Sequence, residues 1–253
     1  MQGWVRFVQT VTPGLVLREV KVGESDRILT LLTPRLGVIT AVAKGSLRLK
    51  SKLFSACGLF CYSEFSLFQG KTMYTVNDAQ VKQVFFGLRE SVESTALAMY
   101  MAEFAQLLAP IGKEAETQLR LLLNCLYVLS KGKKPPRMVK AVYEIRALSE
   151  AGYMPDLLCC AACSKYEQEE FFLNTNSGLL LCGDCARNQG LNPNLDLGSL
   201  TALRHIALVD DKKIFGFSIQ AESMDRLCRV SEQYALQHLE RPLKTLEFLK
   251  TAL

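Results

Sequence analysis

The chain has 253 residues, of which 49% are hydrophobic and 22% are charged, a composition typical of a globular protein with a buried core. Its length allows one large domain or two to three small ones. No run of about 18 apolar residues occurs. The first twelve residues also lack the basic-then-apolar layout of a secretory signal. We therefore expect a cytosolic protein that is neither exported nor inserted in a membrane.

The positive charge is concentrated at the amino-terminal end. The formal net charge is +5 at pH 7. Residues 1–80 hold ten Lys or Arg against five Asp or Glu, whereas residues 81–253 hold twenty of each. This asymmetry indicates that the first third of the chain meets a polyanion, although a merely solubilising surface would have the same composition.

The first third of the chain has the pattern of short strands separated by turns. Gly, Pro and Asp mark the turns, and the apolar runs between them are rich in branched and aromatic residues. Five strands of this length predict a small closed β-barrel, either an OB-fold or an SH3-like barrel. The predicted strands are Gly14–Val20, Ile28–Leu32, Gly37–Ala43, Phe60–Phe68 and Met73–Phe86.

After Gly87 the apolar residues recur every three or four positions, which predicts helices. These apolar stripes are wide enough to pack against one another as a helical bundle. The fold class is therefore predicted as α+β. The predicted helical stretches are 97–108, 119–129, Met138–Ala151, Leu200–Ile206 and Met224–Leu253.

Two matched cysteine pairs carry the strongest chemical signal. Cys160 and Cys163 are separated by two residues, as are Cys182 and Cys185, and 18 residues lie between the pairs. Each pair places two thiolates on one tight turn, and four thiolates favour tetrahedral Zn²⁺. Residues 171–180 predict a hairpin with an Asn/Ser/Gly turn, which completes the layout of a zinc ribbon. The alternative is a set of unrelated reduced core cysteines.

A metal with four protein ligands has no open position, so we predict one structural Zn²⁺ and no enzymatic activity. Cys159 could replace Cys160 as a ligand, although the two-residue spacing favours Cys160. Neither His205 nor His238 lies in a metal-catalytic motif, and the sequence contains no nucleophile elbow and no phosphate-binding loop. A metalloenzyme that uses the cysteine-bound zinc remains an alternative.

The segment Lys44–Lys52, here called the basic loop, holds four cations and no acid. An extended backbone would point Arg48, Lys50 and Lys52 to one side, where they would match a row of phosphates. Ser46 and Ser51 can donate hydrogen bonds to phosphate oxygens. The predicted contact is with the nucleic-acid backbone, hence sequence-independent and salt-sensitive. The predicted nucleic-acid-binding residues are Arg18, Lys21, Arg27, Lys44, Arg48, Lys50 and Lys52.

Aromatic residues are interleaved in the later predicted strands, at Tyr62, Phe65, Phe68 and Tyr74. They are either platforms on which bases stack or core residues of the barrel, and the sequence leaves this choice open.

Several stretches together form a family pattern: Gly14–Arg18, Gly23–Thr33, Gly37, Ala43–Ser46, Gly152–Leu157 and His238–Leu249. In sequence and in order these stretches resemble the RecO family of bacterial recombination mediators. The likeness runs nearly end to end, although residues 90–145 match only in character. Ser164 departs from the pattern, because a glycine is usual there.

The resemblance implies an OB-fold DNA-binding domain over residues 1–86. It also implies a helical domain over residues 87–253 with a zinc ribbon inserted at about 157–190. The implied function is binding of single- and double-stranded DNA, annealing of complementary strands, and cooperation with RecR to load RecA onto DNA covered by single-strand-binding protein (SSB). The implied location is the nucleoid in the cytoplasm. The resemblance implies no small-molecule substrate. Whether a RecF-like partner takes part is left open.

The family also binds the acidic, Phe-ending tail of SSB on its helical domain. The candidates in this chain are basic residues beside an apolar helix, each of which could equally be a solvated helix end: Arg120, Lys131, Lys133, Lys134 and Arg137. Another interpretation of the whole chain is a zinc-ribbon RNA-binding protein acting on ribosomes or transcripts, because barrels and ribbons hold RNA phosphates as well. A structural adaptor with an incidental positive patch is a third.

Overall fold

The computed structural model of the protein describes residues 9–239 and 241–252. Arg6, which contributes to the amino-terminal charge, and Glu240, in the last family-like stretch, lie outside the described residues. The described chain divides into two compact units, and the boundary falls between Ser130 and Lys131. A domain boundary at residue 86 remains a prediction.

The first unit contains a closed barrel of five strands in the order β1-β2-β3-β5-β4. Strands β3 and β5 pair in parallel, and the other neighbours are antiparallel. A short helix, α1, lies between β3 and β4. This is the topology of an OB-fold, so the OB-fold prediction is confirmed and the SH3-like alternative is wrong. The elements are β1 Gln9–Val22, β2 Asp26–Thr33, β3 Gly37–Ala43, α1 Leu53–Ala56, β4 Cys61–Gln69 and β5 Tyr74–Val84.

Strand β1 is longer than predicted because it serves two neighbours. Its first half pairs with β4, from Gln9 opposite Phe68, and its second half pairs with β2. The two pairings meet at Leu15, and a register shift follows between Val16 and Arg18 within the pairing with β2. The predicted strand began at Gly14, where the apolar and branched run begins. Here Pro13 lies inside β1, opposite Glu64.

Two long helices complete the first unit. Helix α2, Val92–Leu108, begins after Ser91, whose Oγ accepts a hydrogen bond from the Ser94 amide at 3.0 Å. Helix α3, Glu116–Ser130, packs against α2, and the two helices also contact β1 and β2 of the barrel. Gly37 of β3 lies against Pro110, which follows α2 in the chain. This contact requires glycine at position 37, because a Cβ there would lie 1.8 Å from the Pro110 carbonyl oxygen.

The second unit is a helical bundle into which a small sheet is inserted, as predicted. Helices α4, α6 and α7 pack against one another. The inserted sheet has the strand order β7-β6-β8 and lies between α4 and α6 in the chain. The elements are α4 Pro136–Glu150, β6 Glu170–Leu173, β7 Leu180–Cys182, α5 Gly183–Asn188, β8 Leu195–Asp196, α6 Leu197–Leu208, α7 Ala221–His238 and α8 Lys244–Ala252.

The predicted helical run Met224–Leu253 is interrupted. Helix α7 ends at His238 and α8 begins at Lys244. Pro242 lies between them, and a proline inside a helix would remove a backbone hydrogen bond and collide with the preceding turn. Among the helices of the described residues, none has both the length and the apolar character needed to cross a membrane.

Candidate metal centre and nucleic-acid interface

Four cysteine sulfurs come together where β7 meets α5. The Sγ atoms of Cys160, Cys163, Cys182 and Cys185 all lie within 4.8 Å of one another, and those of Cys163 and Cys182 are 3.6 Å apart. A tetrahedron of sulfurs at about 2.3 Å from a central zinc has edges of about 3.8 Å. The four sulfurs could therefore hold one metal ion. Among the described residues, Cys159 is not part of this cluster.

Backbone hydrogen bonds form the turn that carries the first cysteine pair. The Cys160 amide donates to the Lys165 carbonyl at 2.9 Å, and the Ser164 amide donates to the Cys160 carbonyl at 2.8 Å. The Ala161 amide donates to the Leu180 carbonyl at 2.8 Å, which attaches this turn to β7. The second pair is positioned by the end of β7 and the start of α5.

The pKa values of the thiols differ within the cluster. Burial opposes ionisation of Cys160, but hydrogen bonds from the amides of Cys182, Ala162 and Cys163 lower its pKa to about 6. The pKa of Cys185 is shifted in the opposite direction. Hydrogen bonds with the Cys163 and Cys182 thiols raise it to about 12. A cation bound by four thiolates displaces these protons, so binding weakens as the pH falls.

Ser164 follows the first cysteine turn with a left-handed backbone, at φ +60°. A residue with a Cβ pays about 1 kcal/mol for this conformation. We therefore expect Ser164→Gly to raise the free energy of unfolding of the metal-bound protein by about 0.5–1 kcal/mol. Thermal melting in excess zinc measures the change. Ser164→Ala, which keeps the strain, should show no gain, and equal melting of the two variants would contradict the prediction.

Arg204 of α6 binds the segment that carries Cys160 and Cys163 through hydrogen bonds. Its Nε donates to the Leu157 carbonyl at 2.8 Å, and its Nη2 donates to the carbonyls of Leu158 at 2.9 Å and Tyr166 at 3.3 Å. The guanidinium also lies 4.2 Å from the centre of the Tyr166 ring. These carbonyls are on both sides of the first cysteine pair. No local sequence pattern indicates this role, because the partners are 38 to 47 residues away.

The basic loop is a series of turns and not an extended strand, so the predicted alternation of Arg48, Lys50 and Lys52 is wrong. The Arg48 amide donates to the Gly45 carbonyl at 3.2 Å, and the Ser51 amide donates to the Arg48 carbonyl at 2.8 Å. All four predicted cations of the loop are nevertheless exposed. Within the described part of the chain, no carboxylate lies within 4.0 Å of their charged nitrogens.

The first two residues of β2, Asp26 and Arg27, hold the basic loop in place. Asp26 Oδ1 accepts a hydrogen bond from the Gly45 amide at 2.7 Å. Arg27 Nη1 donates to the carbonyls of Ser46 and Phe54, each at 3.0 Å. The Gly45 hydrogen bond is also the main reason why the pKa of Asp26 is lowered, so this contact is kept at neutral pH.

Two residues predicted to contact phosphate, Arg27 and Ser46, are buried in the structure. Arg27 is 7% exposed, and its Nε lies 3.0 Å from the Glu19 carboxylate. Its guanidinium holds the loop, so Arg27 has a positioning role, and its contact with DNA stays a prediction. Ser46 is fully buried, and its hydroxyl has no hydrogen-bond partner among the described residues. It cannot reach a phosphate while the loop is folded.

The other predicted residues of the first unit are placed as follows. Arg18 and Lys21 are exposed on β1. They are three positions apart in the strand, so their side chains point to opposite faces.

The aromatic residues of the later strands differ in burial. Phe65 is fully buried in the barrel core, and Tyr74 packs against that core. Tyr62 and Phe68 are half-buried. Phe65 is therefore a core residue.

We expect Arg27→Lys to lower the free energy of unfolding by about 1–3 kcal/mol, because lysine keeps the charge but cannot serve both carbonyls and Glu19. Arg48→Lys is the matched control, since Arg48 is exposed and the charge is again unchanged. It should change stability by less than about 0.5 kcal/mol. Urea denaturation followed by circular dichroism measures both. Equal stabilities of the two variants would contradict the positioning role of Arg27.

The candidate SSB-binding residues fall in both units. Arg120 is exposed on α3 of the first unit. Lys131, Lys133 and Lys134 precede α4, and Arg137 lies in its first turn. Lys131 and Lys133 are exposed and Lys134 is half-buried. Arg137 Nη1 donates to Asp225 Oδ1 of α7 at 2.7 Å, so its charge is already paired.

Known proteins resemble this chain over nearly its whole length. The family description "Recombination protein O N terminal" matches residues 7–85, and "Recombination protein O C terminal" matches residues 89–247. Three relatives, each named "DNA repair protein RecO", show the extent of the likeness. The protein of Acetivibrio thermocellus is 35% identical over 240 residues, which cover 95% of this chain and 96% of that one.

The other two relatives agree. The protein of Dehalococcoides mccartyi strain CBDB1 is 34% identical over 245 residues, covering 95% of this chain and 96% of its own. The protein of Caldicellulosiruptor saccharolyticus is 30% identical over 237 residues, which cover 94% of this chain and 96% of that one. Each of these names describes a DNA repair protein. The chain belongs to the RecO family of DNA repair proteins.

Proposed function

We propose that this protein is a recombination mediator that binds single- and double-stranded DNA through its basic loop and anneals complementary strands. The supporting observation is a group of four exposed cations on a loop that Asp26 and Arg27 hold in place. The loop belongs to a barrel of the OB type, a fold that commonly binds single strands. Arg18 and Lys21 are further exposed cations on β1, on opposite faces of that strand.

Annealing on this surface requires no covalent chemistry. Two strands repel each other through their phosphates, and a cationic surface lowers this repulsion by neutralisation. Each phosphate contact releases counterions, so affinity falls with salt by a slope of about 0.7 per contact for a single strand. Four contacts predict an affinity loss of about 50-fold between 50 and 200 mM salt.

The experiment that tests this function compares DNA and RNA oligonucleotides of one sequence in a salt titration. We expect the purified protein to bind the DNA with this salt dependence and to accelerate annealing of complementary DNA strands. A clear preference for RNA, without annealing of DNA, would favour an RNA-binding function. Absence of DNA binding at low ionic strength would overturn the proposal.

The metal proposed for the cysteine cluster is one structural Zn²⁺ held by Cys160, Cys163, Cys182 and Cys185. The fit is supported by the sulfur separations and by the amides directed at Cys160. When bound, the metal supplies a cross-link between the two cysteine pairs, and four thiolates leave no position for substrate. Arg204 attaches this cross-linked ribbon to α6.

The proposed partners are RecR, the SSB tail and, indirectly, RecA on SSB-coated DNA, with the cytoplasmic nucleoid as the place of action. Tethering to SSB would raise the local concentration of the basic loop at the coated strand. The acidic tail would meet the cations before α4, of which Lys131 and Lys133 are exposed. Binding of the tail peptide, with a peptide lacking the terminal Phe as control, tests this part. Whether a RecF-like protein takes part needs the same kind of test.

A further inference from the structure

Leu49 has the largest exposure of the large apolar side chains in the described residues, at 86%. It lies at the tip of the basic loop, in the turn that the hydrogen bond from the Ser51 amide to the Arg48 carbonyl closes. Leu49 and Lys50 are the two central residues of this turn. The side chain therefore projects away from the barrel between two cations.

The turn is held in place, so the exposure of Leu49 belongs to an ordered structure. The Leu47 amide donates to the Ser25 carbonyl at 2.8 Å, next to the contact between Gly45 and Asp26. Arg27 donates a hydrogen bond to the carbonyl of Ser46, which also precedes the tip in the chain. A loop anchored at three points, to Ser25 before β2 and to Asp26 and Arg27 of β2, presents Leu49 in a defined position.

The surroundings of Leu49 indicate what covers it. An apolar side chain between Arg48 and Lys50 fits a partner that has both negative charge and an apolar surface. A nucleic-acid strand has phosphates on its backbone and the apolar faces of its bases beside them. Protein side chains that insert between bases in this way are apolar, and leucine is one of them.

We propose that Leu49 inserts between neighbouring bases of the strand whose phosphates the flanking cations hold. This inference rests on the proposed DNA binding and assigns a base contact to the same loop. Insertion unstacks a base step, and the separated bases then present their pairing edges to a complementary strand. Leu49 would thus promote the pairing step of annealing, whereas the cations promote the approach of the strands.

The test uses the full-length protein and three substitutions of Leu49, all at an exposed position where folding should be unaffected. Leu49→Ser should weaken binding of single-stranded DNA about fivefold and slow annealing, with an unchanged salt slope because no phosphate contact is lost. Leu49→Met, which remains long and apolar, should behave like the wild type. Leu49→Lys should slow annealing even though it adds a cation.

The direct readout is an oligonucleotide that contains 2-aminopurine, whose fluorescence rises when the base leaves its stack. We expect a rise with saturating wild-type protein and with Leu49→Met, and little rise with Leu49→Ser. Wild-type fluorescence and annealing in Leu49→Ser would overturn the insertion while DNA binding itself stands. Normal DNA behaviour of Leu49→Ser combined with lost binding of the acidic SSB tail peptide would also overturn it. If the wild-type protein does not bind DNA, the proposed function and the insertion of Leu49 are both overturned.

Discussion

Replacing Cys182 with serine is expected to remove the metal and to unfold the ribbon of the second unit. Cys182 is fully buried, ends β7 and directly precedes α5, so its sulfur joins both elements to the first cysteine pair. Structural zinc contributes about 10–16 kcal/mol of apparent binding free energy in zinc-finger peptides at neutral pH. Because the inserted sheet is small, loss of one thiolate should remove most of its stabilisation. We expect about one zinc per chain in the wild type and well under half of that in Cys182→Ser.

The control for this prediction is Cys159→Ser. Cys159 adjoins a proposed ligand, but its sulfur is outside the four-sulfur cluster of the described residues. Its replacement should leave zinc content and thermal unfolding unchanged. Metal content after dialysis and a melting curve measure both variants. A metal-free wild type of full stability would contradict the prediction, and a cobalt-substituted protein with a bound water would indicate an open, catalytic type of site.

The cysteine cluster could be predicted from the sequence because its signal is local. Two residues between cysteines suffice to place two sulfurs on one turn, whatever surrounds that turn. The barrel strands were predictable for a similar reason, since alternation along β3 and β4 reflects one buried face. Helices α1 and α5 were not predicted, because four and six residues are too short to show a helical period.

The roles of individual arginines depended on tertiary contacts and could not be predicted. Arg27 has the sequence surroundings of a surface cation, but Glu19 and two carbonyls across the barrel end enclose it. Arg204 shows no motif, yet it binds carbonyls on both sides of the first cysteine pair. The basic loop was predicted as a set of cations but with the wrong backbone. Its conformation is set by Asp26, which is 19 residues away from Gly45.

The second large effect is expected from reversing the charge of the basic loop. Arg48, Lys50 and Lys52 changed together to Glu should abolish strand annealing and weaken single-stranded DNA binding by at least about 100-fold at low salt, because three attractive contacts become repulsive. The fold should survive, since all three side chains are exposed. Circular dichroism and an annealing assay with labelled oligonucleotides measure the two outcomes. The hydrogen bonds that shape the loop use backbone groups and the side chains of Asp26 and Arg27, which remain.

A matched control separates the loop from net charge. Lys212, Lys213 and Arg229 are exposed in the second unit, and changing them to Glu alters the charge of the protein by the same amount. If the position of the charge matters, this control should anneal DNA at close to the wild-type rate, while the loop variant does not. Equal losses in both variants would mean that overall charge, and not the anchored loop, attracts the strands. Normal annealing by a folded loop variant would remove the basic loop from the DNA-binding surface altogether.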